Sequence, residues 1–270
     1  MKKLSLLLIL VLILCVGCSE KTKPVSQTGD EQTKDNSVVN EESTDLESET
    51  ESKPETPESE TNEIKEYYGQ ALSSSKKNGS VKIYEKPDSK SKVIGTLKDL
   101  EMIKLLESVP YGWFKVETDD SKIGYMDARL VRTKEIPPHE YSEKAEGYNL
   151  VFTHSDQKLK IYKDGELVKE SLGSSGLWDH FTPKGVFELE KKRRGKWAYI
   201  PRFEMGFKYW VGFKGVYLFH SVPYDEKKQL LEDEAKKIGQ PASHGCIRLP
   251  VEMAKYIYEN VPAGSKVLIY

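Results

Sequence analysis

Short stretches in which apolar and polar residues alternate fill the chain between about Lys76 and Lys134. Residues with turn propensity, such as Lys86-Pro87-Asp88 and Pro110-Tyr111-Gly112, separate these stretches. Five short strands joined by tight turns are typical of a small closed β-barrel. The predicted strands are Val81 to Tyr84, Val93 to Leu97, Glu101 to Leu106, Trp113 to Val116 and Ile123 to Met126.

A second β-rich region follows a linker at Glu135 to Glu146, which contains Pro137-Pro138. Asp164-Gly165 is a strong hairpin turn between two of its strands. The pattern predicts a second, mainly β domain. Its predicted strands are Leu150 to Thr153, Leu159 to Tyr162, Leu167 to Glu170, Val186 to Leu189, Trp197 to Ile200, Tyr209 to Phe213, Val216 to Phe219 and Lys266 to Tyr270.

Two helices interrupt this β-rich region in the prediction. The charged segment Asp225 to Ile238 places its few apolar residues on one side, and Gly239 follows as a stop signal. Pro250 to Val261 has the apolar spacing of an amphipathic helix. We expect both helices to pack on the sheet.

The first residues have the organisation of a secretory signal. Lys2 and Lys3 precede an apolar run from Leu6 to Val16, which ends at Gly17-Cys18. The run is too short to span a bilayer comfortably. Residues 1–17 are therefore predicted to be a signal peptide.

An acidic, polar segment follows from Ser19 to about Glu66. It holds 15 acidic residues and 5 lysines, so it is predicted to be a disordered linker that extends by self-repulsion. The rest of the chain then carries about +8, which suits an anionic surface such as a cell envelope. No basic helix, zinc module or aromatic stacking pattern indicates nucleic acid as a partner.

The candidate chemistry lies in Ser243-His244-Gly245-Cys246-Ile247-Arg248-Leu249. A cysteine becomes a nucleophile when a neighbouring imidazole takes its proton, and backbone amides such as those of Gly245 and Cys246 can stabilise an oxyanion. This set predicts acyl transfer through a thioester. Spacing leaves two bases open, His244 and His220, which ends a predicted core strand. The remaining histidines, His139, His154 and His180, are predicted to be surface or hydrogen-bonding residues.

Two segments resemble known bacterial patterns. Leu14-Cys15-Val16-Gly17-Cys18 resembles a lipobox, although Cys15 replaces the preferred leucine; it implies cleavage before Cys18 and lipidation of that residue. Cys246 would then be the only free thiol. Ile83-Tyr84-Glu85-Lys86-Pro87 and Gly112-Trp113-Phe114-Lys115-Val116 resemble the bacterial Src-homology-3-type domain, whose relatives commonly bind cell-wall peptide.

The second domain resembles the YkuD-type catalytic domain of bacterial L,D-transpeptidases. The resemblance rests on His220-Ser221, on Ser243 to Leu249 and on Thr182-Pro183-Lys184-Gly185. It implies a mainly β sandwich acting on peptidoglycan stem peptides. The roles that it implies are Cys246 as nucleophile, His220 as general base, Ser221 as backbone support of His220, His244 in organising the site, Gly245 as an oxyanion amide, and Ser243, Arg248 and Trp210 as substrate-binding residues.

The predicted domains are residues 1–17 (signal), 18–66 (lipidated linker), 67–134 (Src-homology-3-like) and 146–270 (catalytic). We expect a monomer that needs no cofactor or metal and is lipid-anchored to the outer face of the bacterial cell membrane, from which it reaches the cell wall. Water as acceptor would make it an L,D-carboxypeptidase. Three other functions fit less well. A papain-like endopeptidase has its cysteine before its histidine in sequence, whereas His220 precedes Cys246 here, and the sequence motifs of a metal hydrolase are missing. A non-catalytic wall-binding lipoprotein would need neither Cys246 nor His220.

Overall fold

The computed structural model describes residues 65–73 and 79–270. The predictions for the signal peptide, for Cys18 and for almost all of the acidic linker concern residues outside these ranges. Thr61–Tyr270 forms one compact unit, so both predicted domains can be described together.

The first domain is a seven-stranded antiparallel sheet. Its strands are β1 (Tyr67–Ala71), β2 (Ser80–Tyr84), β3 (Val93–Lys98), β4 (Met102–Val109), β5 (Trp113–Glu117), β6 (Ile123–Asp127) and β7 (Val131–Thr133). They lie in the order β3-β2-β6-β5-β4-β1-β7. The five strands predicted from alternation are present with small shifts at their ends, and β1 and β7 extend the sheet beyond β4.

The second domain contains two further sheets. Its strands are β8 (Tyr148–Thr153), β9 (Lys158–Lys163), β10 (Glu166–Leu172), β11 (Gly185–Glu188), β12 (Arg194–Ile200), β13 (Met205–Lys214), β14 (Tyr217–Ser221), β15 (Ile247–Leu249) and β16 (Lys266–Ile269). One sheet has the order β10-β9-β8-β16-β11 and the other β12-β13-β14-β15. The mainly β class and the succession of the two domains are as predicted.

One of the two helices of the second domain is much shorter than predicted. The prediction of one helix over Asp225 to Ile238 is wrong, because α1 covers only Glu232–Ala235. The segment before it forms a turn instead: Asp225 accepts hydrogen bonds from Gln229 and Lys228, and Lys228 has a positive φ of 64°. The second helix, α2 (Val251–Asn260), matches its prediction and buries Met253, Ala254 and Ile257.

Direct contacts join the two domains. The Gly112 N–H donates a hydrogen bond of 2.7 Å to the Val186 carbonyl. Gly112 has φ +69°, and a Cβ there would lie 2.3 Å from the Phe187 ring, so a larger residue would be both strained and too close. The Lys214 ammonium lies 3.6 Å from the Asp127 carboxylate and donates to the Tyr111 carbonyl. Turns of the first domain are therefore fixed against β11 and β13 of the second.

Over the described part of the chain, none of the helices has the length and apolar character needed to cross a membrane.

Candidate active site

Parallel pairing between β14 and β15 brings the distant histidine to the cysteine. His220 on β14 lies opposite Arg248 on β15, and Cys246 directly precedes β15. Paired residues share a face of a sheet, as do residues two apart on one strand. All three side chains therefore line one small cavity of about 60 Å³. The other lining residues are Ile200, Phe203, Met205, Phe207, Pro223, Ser243 and His244.

His220 is buried and held in one tautomer. Its Nδ1 lies 2.6 Å from the carbonyl oxygen of Ser221. A carbonyl only accepts hydrogen bonds, so Nδ1 carries the proton and Nε2 keeps a free lone pair. The Phe207 ring stacks on the imidazole at 4.2 Å between ring centres. Burial lowers the pKa of His220 to about 4, and the Ser221 carbonyl only partly offsets this, so the imidazole is neutral near pH 7.

The Cys246 thiol is also neutral near pH 7. Burial raises the pKa of the Cys246 thiol to about 11, although a backbone hydrogen bond from Leu218 and the positive charge of Arg248 act in the opposite direction. The Sγ lies 3.7 Å from the Val216 carbonyl, which accepts from the S–H group. The resting site therefore combines a thiol and a neutral imidazole.

The loop before Cys246 is fixed by its own side chains. Ser243 Oγ accepts a hydrogen bond of 3.0 Å from the Gly245 N–H and donates to the Cys246 carbonyl. The Gly245 carbonyl accepts a 2.7 Å hydrogen bond from Thr182 Oγ1. Gly245 has φ +111°, and a Cβ there would lie 2.6 Å from the Tyr217 ring. Only glycine fits this conformation without strain.

These contacts correct one predicted role. The Gly245 N–H already donates to Ser243 Oγ, so in this arrangement it is not available as an oxyanion donor. Among the described residues, no turn or loop hydrogen bond uses the Cys246 N–H. That amide is the better candidate, since it belongs to the nucleophile residue itself. Ser243 lines the cavity, but its hydroxyl is committed to the loop.

His244 lies at the mouth of the cavity rather than in its floor. Its ring is exposed and stacks on Phe203 at 4.3 Å. The ring of His180 meets it edge-on at 5.0 Å, and His180 itself pairs with Asp179 at 3.1 Å. Partial burial, followed by the neighbouring His180, lowers the pKa of His244. His180, predicted to be a surface or hydrogen-bonding residue, is exposed and paired with Asp179, and its ring also borders the mouth of the cavity.

Arg248 is buried beside His220 and is paired with the charged segment before β15. Its Nη1 lies 2.7 Å from a Glu234 oxygen, and its Nη2 lies 3.8 Å from the sulfur of Met205. The side chains of Arg248 and Glu234 are 5% and 20% exposed. Glu234 also pairs with Lys237 at 2.6 Å. Glu234 of α1 therefore holds Arg248, although no residue of α1 itself lines the cavity.

Trp210 does not reach the cavity, contrary to its predicted role in substrate binding. Its indole N–H donates to the Trp197 carbonyl at 3.3 Å. Its ring packs directly on Gly195, where a Cβ atom would lie only 2.7 Å from the ring. Sequence reasoning instead missed Phe203, Phe207 and Glu234, because aromatic residues in strands and acids in charged segments carry no local signal of a site.

No group of three or more His, Cys, Asp or Glu side chains that could hold a metal ion occurs in the described ranges.

Comparison with family models assigns both domains. Residues 147–269 match the L,D-transpeptidase catalytic domain of the YkuD family, and residues 79–132 match the bacterial SH3 domain. A relative in Bacillus subtilis (strain 168), "Putative L,D-transpeptidase YciB", is 42% identical over 119 residues. The match covers 42% of this chain and 61% of that relative, so less than two thirds of the relative's length is represented.

Solved structures were also compared. An L,D-transpeptidase from Mycobacterium smegmatis is 14% identical with a TM-score of 0.39; the match covers 61% of this chain and 94% of that chain. A fused Zn-dependent amidase/peptidase/peptidoglycan-binding protein from Clostridium acetobutylicum is 28% identical with a TM-score of 0.36, over 46% of this chain and 51% of that one.

The sequence matches and the two β domains agree. Residues 147–269 form an L,D-transpeptidase catalytic domain of the YkuD family, and a bacterial SH3 domain lies N-terminal to it.

Proposed function

We propose that the protein is an L,D-transpeptidase that acts on peptidoglycan stem peptides through an acyl-enzyme on Cys246. The observation that carries the proposal is the orientation of His220. The Ser221 carbonyl holds the Nδ1 proton, so Nε2 is the basic nitrogen in the cavity that also contains the Cys246 thiol. A thiol beside an oriented base is the arrangement that nucleophilic catalysis requires.

In the first half-reaction, the Cys246 sulfur attacks the carbonyl carbon of the third stem residue. His220 Nε2 takes the thiol proton, and the negative charge moves to the carbonyl oxygen, near the Cys246 N–H. The intermediate then collapses. The amine of the terminal residue leaves with the proton from His220, and a thioester to Cys246 remains.

In the second half-reaction, an amine of a neighbouring stem attacks the thioester. His220 accepts a proton from this amine, a new amide bond forms, and the proton returns to the Cys246 sulfur as the thiol leaves. The neutral pair fits this sequence of steps, because burial opposes both a free thiolate and an imidazolium. Proton transfer therefore accompanies attack.

Arg248 supplies the positive charge of the cavity. Its guanidinium lowers the pKa of the Cys246 thiol and so favours negative charge at the reacting sulfur. Nη2 meets only the weakly accepting Met205 sulfur, which leaves a donor for a substrate carbonyl or carboxylate. We propose that Arg248 orients the acyl donor in this way.

A secreted, lipid-anchored location completes the proposal. The apolar run from Leu6 and the Gly17-Cys18 pair support export and lipidation, and the acidic segment up to Glu66 would give the catalytic domain reach toward the wall.

Product analysis of the purified protein with a defined tetrapeptide stem tests the reaction. We expect a cross-linked dimer and release of the terminal D-alanine. Release of D-alanine with tripeptide alone would replace the proposal with an L,D-carboxypeptidase. No product from a folded protein would favour a wall-binding role without catalysis. Cys246→Ala is the control and should give no product.

A further inference from the structure

A second, wider cavity lies at the junction of the two domains, away from Cys246. It measures about 570 Å³. We call it the junction groove and define it by Tyr68, Gln70, Met102, Arg132, Thr133 and Trp178. β1, β4 and β7 contribute the first five of these residues, and the catalytic domain contributes Trp178. Trp178, Met102 and Tyr68 are 74%, 54% and 48% exposed.

Arg132 is fixed at the centre of the junction groove. Its guanidinium carbon lies 3.5 Å from the centre of the Trp178 ring, and Nη2 donates a 2.6 Å hydrogen bond to Gln70 Oε1. Within residues 65–73 and 79–270, no carboxylate pairs with Arg132. A planar guanidinium that is already oriented loses little freedom when it binds a carboxylate through two parallel hydrogen bonds.

The remaining charges of the groove also favour an anion. Its two acids are neutralised within the protein: Glu66 pairs with Lys104 at 2.7 Å, and Glu135 pairs with Lys65. Lys134 lines the groove and has no carboxylate partner among the described residues. The groups left for a ligand are therefore mainly donors, together with exposed aromatic surface.

A further cavity of about 320 Å³ adjoins the groove. It shares Arg132, Thr133 and Trp178 with the groove and extends to His154 on the catalytic domain. The Nε2 of His154 is buried without a hydrogen-bond partner. Such an unpaired polar atom costs free energy unless a ligand or water satisfies it. The two cavities are therefore neighbours along the junction.

One short turn links the junction groove to the mouth of the catalytic cavity. Trp178 and His180 belong to the same single 3-10 turn, Trp178–His180. Trp178 faces the groove, while the His180 ring meets His244 at the mouth of the catalytic cavity. A polymer held on Trp178 and Arg132 would therefore lie about one helical turn from the mouth.

We propose that the junction groove binds a carboxylate-bearing part of the peptidoglycan strand beyond the stem peptide that reacts at Cys246. Arg132 binds the carboxylate, and the exposed rings of Trp178 and Tyr68 pack against the apolar faces of the polymer. The groove would hold the insoluble substrate while the catalytic cavity exchanges one stem. This assignment of the ligand rests on the proposed function.

Sedimentation with insoluble peptidoglycan tests the groove. We expect Arg132→Ala to weaken binding about tenfold or more, because a charge-assisted bidentate contact is lost. Lys90→Ala removes the same charge from an exposed turn of the SH3 domain and should change binding less than twofold. Arg132→Lys keeps the positive charge but loses the planar guanidinium that donates two parallel hydrogen bonds. Its binding should therefore lie between that of the wild type and that of Arg132→Ala.

A change of probe tests whether Arg132 contacts the carboxylates of the polymer or its glycan. Wild type should bind peptidoglycan with chemically amidated carboxylates about tenfold more weakly, and Arg132→Ala should then cause no further loss. Soluble chitin oligomers, an uncharged glycan, should not compete. Equal binding of native and amidated polymer, or full competition by chitin, would overturn the proposal.

Turnover of a soluble tetrapeptide separates this proposal from the catalytic one. Arg132→Ala should leave that turnover unchanged while binding to the polymer falls. If turnover is present but Arg132→Ala binds the polymer like wild type, the groove proposal fails alone. If wild type turns over no tetrapeptide, the proposed function fails, and polymer binding still decides the groove. Should Arg132→Ala not fold, Trp178→Ala and Arg132→Lys give the same decision.

Discussion

The floor and the mouth of the catalytic cavity each present a histidine to the Cys246 region, and the protein treats the two differently. In the floor, His220 is buried, stacked on Phe207 and bonded through Nδ1 to the Ser221 carbonyl. At the mouth, His244 is exposed, stacks on Phe203, and has no hydrogen bond through its ring nitrogens within the described residues.

This difference shows how proximity in sequence misleads. His244 is two residues from Cys246, yet nothing fixes its tautomer. His220 is 26 residues away, and its proton is assigned by a backbone carbonyl. A base must be oriented as well as near, so the floor histidine is the better base. The predictions below test this contrast.

Substitution of each histidine should give the largest difference. We expect His220→Gln to lower kcat for a tetrapeptide substrate by about 10²–10⁴, the usual value of general acid–base catalysis. His244→Gln should lower it less than about tenfold, because a lost aromatic contact is worth about 1 kcal/mol. Steady-state kinetics measure both variants. Equal losses, or a larger loss in His244→Gln, would reverse the assignment.

The stability of the protein should fall as the pH decreases below 6.5. His220 has a pKa of about 4 in the folded protein against about 6.5 unfolded, so the unfolded state binds more protons in this window. The contribution of His220 to stability is fully present above pH 6.5 and is lost as the pH falls toward 4. By pH 4.5 the loss is about 2–3 kcal/mol. Burial also lowers the pKa of His154 to about 4, so His154 adds a similar loss of stability.

Urea unfolding at pH 7.5 and 4.5 measures this effect. The difference between the two free energies of unfolding should shrink by about 2–3 kcal/mol in His220→Gln, since glutamine does not titrate. In His244→Gln it should change much less, because that ring is exposed and its pKa is less affected. An unchanged pH dependence in His220→Gln would mean that the floor histidine is not buried as described.

The ion pair behind the floor should have a smaller effect on catalysis. The Glu234 carboxylate lies 2.7 Å from Arg248 Nη1 and so holds the guanidinium beside His220. We expect Glu234→Gln to lower kcat/KM about tenfold, because a charge-assisted contact that orients Arg248 is lost. Asp233→Asn is the matched control in the same short helix. Asp233 is 96% exposed and pairs only with Lys236, so its kcat/KM should stay within twofold.

A kcat/KM within twofold of wild type in both Glu234→Gln and Asp233→Asn would show that Glu234 does not position Arg248. A fall in both variants would instead indicate a general disturbance of the segment between Asp225 and Ile238.

Much of the fold could be predicted because its strands alternate. The pattern Trp113-Phe114-Lys115-Val116 and the amphipathic spacing of Pro250 to Val261 both identify their elements locally. β15 was not predicted: its three residues, Ile247–Leu249, are all buried, so no alternation marks them. The helix prediction from Asp225 was wrong for another reason: the charged residues of this segment favour a helix, but Lys228 adopts a turn conformation.

The site was predictable in composition but not in arrangement. Cys246, His220 and Ser221 could be identified from their motif, and the contact between His220 and the Ser221 carbonyl is present. The use of the Gly245 N–H by Ser243 and the pairing of Arg248 with Glu234 depend on the folded loop and on a non-local contact. No pattern within either segment contains this information. The position of Trp210 outside the cavity likewise depends on the folded arrangement and not on a local sequence pattern.

The central claim is that Cys246 is the nucleophile and His220 its base. Intact-protein mass after exposure to a carbapenem tests it most directly, because thiol attack on the β-lactam carbonyl opens the ring without a leaving group. The wild-type mass should increase by one carbapenem, with the adduct on the peptide that contains Cys246. Cys246→Ala should gain nothing.

The rate of this mass change also tests the base. His220→Gln should acquire the adduct at least about 100-fold more slowly than wild type, and His244→Gln within about tenfold. These results would support both roles. An adduct that persists in Cys246→Ala, or one that forms at the wild-type rate in His220→Gln, would contradict the account.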